Sequence, residues 1–108
     1  MYRRFRKSVT VTTKQGVYIL PLEVDDPISK SLYVRREHEF DLVSDAMCFV
    51  RKLKHLEKGK GTVLDIGANN GVISIGMLVG GELDKAVAIE PEPRNFSNLK
   101  HNVEGNHL

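Results

Sequence analysis

Residues 62–71 read TVLDIGANNG, and this stretch decides the fold. Thr62 to Ile66 are mostly β-branched or apolar without alternation, which predicts a parallel strand covered on both faces. Gly67 permits a backbone conformation that a β-carbon disfavours, and Gly71 permits the next helix to begin close to the strand. A strand, a glycine turn and a helix in this order predict an α/β unit with a small-molecule site.

Two carboxylates accompany this turn. Asp65 lies near the carboxyl end of the predicted strand, where burial is costly unless the carboxylate meets backbone N–H groups or a cationic ligand. Glu90 ends a second apolar run, AVAIE, nineteen residues after Gly71. Nucleoside-binding α/β units place an acceptor for the ribose hydroxyls at this point. The two acids therefore predict a nucleoside site.

The turn departs from the dinucleotide fingerprint G-x-G-x-x-G. With Gly67 in the first position, Asn69 and Val72 stand where the second and third glycines belong. The second glycine lets a pyrophosphate approach the backbone, and the third lets helix and strand pack closely. We therefore expect a nucleoside that carries no phosphate, such as S-adenosylmethionine. A fragment of a nicotinamide-dependent oxidoreductase is the alternative of the same fold class.

Two linked segments resemble class I S-adenosylmethionine-dependent methyltransferases, most closely the FkbM type. They are DIGANNG at 65–71 and AIEPEPRNFSNLKHNV at 88–103. The second segment matches the family pattern at Glu90, Pro91, Asn95, Phe96, Leu99 and Asn102. The resemblance implies a Rossmann-like sheet and methyl transfer from S-adenosylmethionine, with a hydroxyl oxygen of a small molecule or sugar as the expected acceptor.

The resemblance also implies a cofactor site. The turn at Gly67 would hold the methionine end of the cofactor, and Glu90 would accept hydrogen bonds from the ribose hydroxyls. Asp65 would orient the turn or meet the cofactor's amino group. The predicted cofactor-binding residues are Asp65, Gly67, Ala68, Asn69, Gly71 and Glu90. We assign no catalytic residue, because we expect the base that deprotonates the acceptor to lie in a part of the enzyme outside these 108 residues. We predict no metal site, because the four histidines lack the spacing of zinc ligands.

The chain divides into two predicted parts. Residues 1–58 carry a hairpin, with strands at 9–13 and 17–20, and an amphipathic helix from about 39 to 58. One stripe of that helix consists of Leu42, Ala46, Phe49, Val50, Leu53 and Leu56. Residues 59–108 carry the first β-α-β-α of a doubly wound sheet, with helices at 72–78 and 93–103 and a strand at 85–90.

Length suggests that this is the N-terminal part of an enzyme. A complete methyltransferase sheet needs considerably more than 108 residues. We expect the isolated chain to be inactive, to leave apolar strand residues on an open sheet edge, and to associate with further copies through that edge.

The distribution of charge along the chain bears on which partners it can bind. The formal net charge is only +2, but five bases and no acids fall in the first fifteen residues. We interpret this arm, which includes Arg3, Arg4 and Arg6, as a solvated terminus and expect no nucleic-acid partner, because it has few stacking aromatics. A non-enzymatic truncated module that binds through the arm is the alternative.

A single cysteine, Cys48, predicts a packed core thiol and a reducing cytoplasm. No apolar run is long enough to span a bilayer.

Overall fold

Two small sheets and four helices make up residues 7–23 and 25–108, the part of the chain that the computed structural model describes. Strands β1 (Ser8–Thr13) and β2 (Gly16–Pro21) form an antiparallel hairpin, and strands β3 (Thr62–Ile66) and β4 (Lys85–Ile89) form a parallel pair. The helices are α1 (Pro27–Arg35), α2 (Phe40–Lys54), α3 (Val72–Val79) and α4 (Pro93–Gly105). The predicted hairpin and the β-α-β-α order are confirmed. Arg3, Arg4 and Arg6 of the basic arm lie outside the described residues.

Helix α1 is the element that the sequence did not predict. Its N-cap is Asp26, whose side chain accepts a hydrogen bond from the Ser29 N–H at 2.7 Å. Pro27 occupies the first turn, where its missing N–H has no helical partner to lose. The run Asp25-Asp26-Pro27, which ends the hairpin, therefore also starts a helix.

The apolar core lies between the hairpin, α1 and α3. Its buried members are Val11, Tyr18, Leu20, Leu32, Val72 and Ile75. The Tyr18 hydroxyl donates to the carbonyl oxygen of Gln15 at 2.7 Å, and burial raises the pKa of Tyr18 well above its usual value. The hairpin from the first part of the chain and the glycine-turn helix from the second part therefore share one core.

The parallel pair is covered on one face only. Val63 and Asp65 of β3, with Ala86 and Ala88 of β4, are half-buried on the face towards α3, whereas Leu64, Ile66, Val87 and Ile89 are exposed. The prediction of a β3 strand covered on both faces is wrong for the described residues, because the hairpin packs on α3 and α4 and not on the outer face. The exposed apolar residues thus lie on an open face of the sheet, and the predicted association of copies through its edge stays a prediction.

Helix α2 is shorter than predicted, and the face that it turns towards the protein is not the predicted apolar stripe. It ends at Lys54, where His55 adopts a left-handed conformation with φ 52° and closes the last turn. Its predicted apolar stripe is exposed, and its inward face carries Met47 and Arg51, the latter paired with Glu82. Cys48 is exposed as well, so the prediction of a packed core thiol is wrong.

Candidate functional site

The predicted cofactor residues meet at the carboxyl edge of the parallel pair. The register sets Ile66 opposite Ile89, so the turn after β3 and the residue after β4 leave the sheet side by side. The N–H groups of Gly67 and Ala68 both donate to the Ile89 carbonyl oxygen, at 2.8 and 3.0 Å. The turn is therefore anchored on the end of the neighbouring strand.

Glu90 connects the two sequence segments directly. Its Oε1 accepts a hydrogen bond from the Asn69 N–H at 2.8 Å, and its Oε2 accepts one from the Glu92 N–H at 2.9 Å. Both are bonds from backbone amides to a carboxylate, which hold the side chain in one orientation. A carboxylate offers about four lone-pair directions, so half of its capacity remains for further donors.

The two glycines of the turn serve different purposes. Gly67 has φ 78°, and a β-carbon built on it would meet nothing within 4 Å, so open space lies beside its backbone. Gly71 has φ 88°, and a β-carbon there would collide with the side chains of Leu99 and Ile75. We expected Gly71 to allow close approach of helix to strand; the close neighbours are instead α4 and the next turn of α3.

The amides of the turn point inward to protein acceptors. Besides the three already described, the Gly71 N–H donates to the Ala68 carbonyl oxygen at 2.8 Å. The Val72 N–H, in the first turn of α3, donates to Asn70 Oδ1 at 3.2 Å. Phosphate-binding turns work by presenting such N–H groups to the anion. These five amides are already bonded within the protein.

Asp65 holds the helix that follows the turn. Its Oδ2 accepts a hydrogen bond from the hydroxyl of Ser74 at 2.5 Å, and Ser74 is buried on α3. Strand β3 and helix α3 are thereby fixed to each other on both sides of the turn. Two roles are expected for Asp65. The hydrogen bond to Ser74 supports a role in positioning the turn, and contact with a cofactor amino group stays a prediction.

A row of asparagines on α4 and at its C-cap includes two residues that bond to β2, and one of these, Asn102, also positions the turn; the sequence reasoning did not find this role. Asn102 Nδ2 donates to the Asn70 carbonyl oxygen at 3.0 Å, while its Oδ1 accepts from the Ile19 N–H at 2.9 Å. Asn106 exchanges two hydrogen bonds with the backbone of Val17, at 2.8 and 2.7 Å. Helix α4 therefore pairs the free edge of β2 and links it to the turn.

A sequence signal for this row was available. Asn98, Asn102 and Asn106 recur at every fourth residue, which places them on one helix face. Asparagine is a poor helix former because its side chain competes for backbone groups. Three of them on one face of a helix indicate that the face bonds to the backbone of another segment.

The candidate site is an open strand edge and not a closed cavity. A shallow groove of about 240 Å³ runs between β4 and α4, lined by Ala88, Leu99, Lys100, Val103 and Glu104. None of the predicted cofactor residues lines it. Within residues 7–23 and 25–108, no group of three or more potential metal ligands occurs. The described helices include none of the length and apolarity needed to cross a membrane.

Comparison of the chain with protein-family models, with curated proteins and with solved structures yields no match.

Proposed function

We propose that this chain forms the cofactor-binding part of an S-adenosylmethionine-dependent methyltransferase of the FkbM type, acting on a hydroxyl oxygen of a small molecule or sugar. The observation that carries the proposal is the 2.8 Å hydrogen bond from the Asn69 N–H to Glu90 Oε1. It joins the two segments on which the family resemblance rests, 21 residues apart in sequence, into one site. Glycine-turn residues and an oriented carboxylate side by side are the arrangement that a nucleoside requires.

The charges at this edge suit a cationic cofactor better than a pyrophosphate. Asp65 and Glu90 are both carboxylates, and the turn amides are bonded within the protein. A phosphate would meet negative charge here without the free N–H groups that normally offset it. Ribose hydroxyls, in contrast, are donors that match the remaining lone pairs of Glu90. These features disfavour the nicotinamide-dependent alternative.

The fit at Gly67 supports the same ligand. Open space beside its backbone, where a β-carbon would otherwise project, leaves room for the methionine end of the cofactor against the turn. S-adenosylmethionine supplies an activated methyl donor through its sulfonium centre. The contribution of these residues is then to bind and orient, because alignment of donor and acceptor accounts for much of the rate of such transfers. We assign no residue of this chain to deprotonation of the acceptor.

The test is a titration of the whole chain, labelled with ¹⁵N, with S-adenosylhomocysteine and separately with NADH. We expect S-adenosylhomocysteine to shift the amide resonances of residues 67–71 and of Glu90, and NADH to leave them unchanged. Glu90→Ala should weaken binding by about 1–3 kcal/mol, the usual effect of losing hydrogen bonds to a charged acceptor. Glu90→Gln should also weaken it, because its amide group cannot accept from both the Asn69 and the Glu92 N–H groups.

The matched control is Glu23→Ala, which removes an exposed carboxylate that lies between β2 and α1. It should bind as the parent chain does. Equal affinity of the Glu90→Ala variant and the parent chain would refute the ribose role of Glu90. Shifts with NADH at the same residues, and none with S-adenosylhomocysteine, would favour the oxidoreductase instead.

A further inference from the structure

Helix α2 carries two apolar faces, and only one of them contacts the rest of the protein. The inward face includes Phe40 and Met47, both at least partly buried, and Arg51, which pairs with Glu82. The opposite face consists of Leu42, Ala46, Phe49 and Leu53, which we call the outer stripe. Its large side chains are exposed by 64%, 67% and 61% for Leu42, Phe49 and Leu53.

The spacing of the outer stripe is that of a helix that packs against another helix. Its members are separated by four, three and four residues, which is the alternation of positions d and a in a heptad repeat. Three large apolar side chains in one such row make a continuous patch of about 300 Å² or more, which is in the range of the largest apolar patch on a typical monomer, a patch that is often functional. Scattered exposed apolar residues would not show this period.

Charges along the helix select the orientation of the second helix. Asp41 and Asp45 lie in its first half, and Lys52 and Lys54 lie in its second half, whereas Arg51 is already paired with Glu82 on the inward face. Two copies aligned parallel would bring like charges together, whereas two antiparallel copies oppose acids with bases. Asp45 and Lys52 both flank the outer stripe, so each can pair with the other residue on a second copy.

The sizes of the side chains also match in the antiparallel arrangement. With the two-fold axis between Met47 and Cys48, Leu42 of one copy lies opposite Leu53 of the other. Ala46 then lies opposite Phe49, so the smallest side chain of the stripe leaves room for the largest one of the second copy. An isologous contact requires this self-complementarity, because each surface must fit its own copy.

We propose that the outer stripe of α2 is a self-association surface, through which two copies of this chain pair as antiparallel helices. The patch is smaller than the roughly 800 Å² per partner of a standard stable interface. Interfaces at this small end of the range are typical of weak or transient pairs, and we expect a dissociation constant in the micromolar range. This surface differs from the open edge of the β3–β4 sheet, and the proposal does not depend on the proposed function.

The test is sedimentation of the whole chain from about 0.5 to about 500 µM, a range that brackets micromolar affinity. We expect a monomer–dimer equilibrium, and Phe49→Glu should raise its dissociation constant at least about tenfold by placing a charge in the apolar seam. The matched control is Val34→Glu, at a residue 69% exposed on α1, which should leave the equilibrium unchanged. Circular dichroism checks that each variant keeps its helix content.

Charge reversal tests the orientation. Asp45→Lys and Lys52→Asp should each weaken the dimer about two- to fivefold, the range for exposed ion pairs, and the double variant should restore it. Failure of the double variant to restore the dimer would refute the antiparallel pairing. A chain that stays monomeric throughout, or a dimer dissociated by Leu64→Glu on the sheet face and not by Phe49→Glu, would refute the proposal.

Discussion

Replacing Asn102 by leucine tests the link between the hairpin and the glycine turn. The side chain is buried and makes two hydrogen bonds to backbone groups far apart in the chain, the Ile19 N–H at 2.9 Å and the Asn70 carbonyl oxygen at 3.0 Å. Leucine has a similar volume, so the substitution removes both bonds without leaving a large cavity. Both backbone groups then lose their protein partner.

The expected cost follows from those two groups. A buried donor or acceptor left without a partner costs about 1–3 kcal/mol, so Asn102→Leu should lower the free energy of unfolding by about 2–6 kcal/mol. One kcal/mol corresponds to about 4–8 °C in Tm for a domain of this size. We therefore expect Tm to fall by at least about 8 °C, and the Ile19 amide to exchange faster with solvent because it loses its acceptor.

A neighbouring asparagine provides the matched control. Asn98 lies one turn earlier on α4 and is also buried, but its Oδ1 has no hydrogen-bond partner among the described residues. Asn98→Leu removes a polar atom that is already unsatisfied, so it should be neutral or stabilising. Thermal unfolding followed by circular dichroism, together with hydrogen exchange of the Ile19 amide, measures both variants. Equal Tm values for Asn102→Leu and the parent chain, with the Ile19 amide still protected, would contradict the reasoning.

Three further predictions concern the turn and the core. Gly71→Ala should lower the free energy of unfolding by about 2–5 kcal/mol in urea denaturation, because its β-carbon collides with Leu99 and its φ is positive. Gly67→Ala should cost only the backbone strain of about 1–2 kcal/mol, while Gly67→Val should cost more and abolish the S-adenosylhomocysteine shifts; equal behaviour of the two variants would mean that the turn is not shaped around a ligand. Because burial raises the pKa of Tyr18, the unfolded chain ionises first, and stability present below about pH 10 is lost as the pH rises further. Unfolding measured from pH 8 to 11 should show that Tyr18→Phe reduces this loss and that Tyr33→Phe, at an exposed tyrosine, does not.

Local patterns in the sequence determined most of the elements. The apolar runs predicted parallel strands at 62–66 and 85–90, and the structure has them at 62–66 and 85–89. The residues between Gly67 and Gly71 predicted the turn. Glu92 and Pro93 begin α4 as an N-cap and first-turn proline, within one residue of the predicted start. These features depend on the conformational preferences of a few neighbouring residues, so one sequence is sufficient to find them.

Contacts between distant segments could not be found in the same way. The sequence placed Asp65 and Glu90 at strand ends, but only the tertiary structure decided that Glu90 accepts from the Asn69 amide and that Asp65 accepts from Ser74. These bonds depend on the register of two strands and on where the connecting helix crosses them.

The direction in which each face points was likewise decided by tertiary structure. The stripe of α2 was visible as a helical period, but periodicity says only that a helix has an apolar face and not what that face contacts. The prediction for Cys48 was wrong for the same reason: Cys48 is exposed, because Met47 and not Cys48 lies on the inward side of α2. Backbone preferences act over a few residues and are written in the local sequence, whereas the packing of one face against another is settled by the competition among all segments of the folded chain.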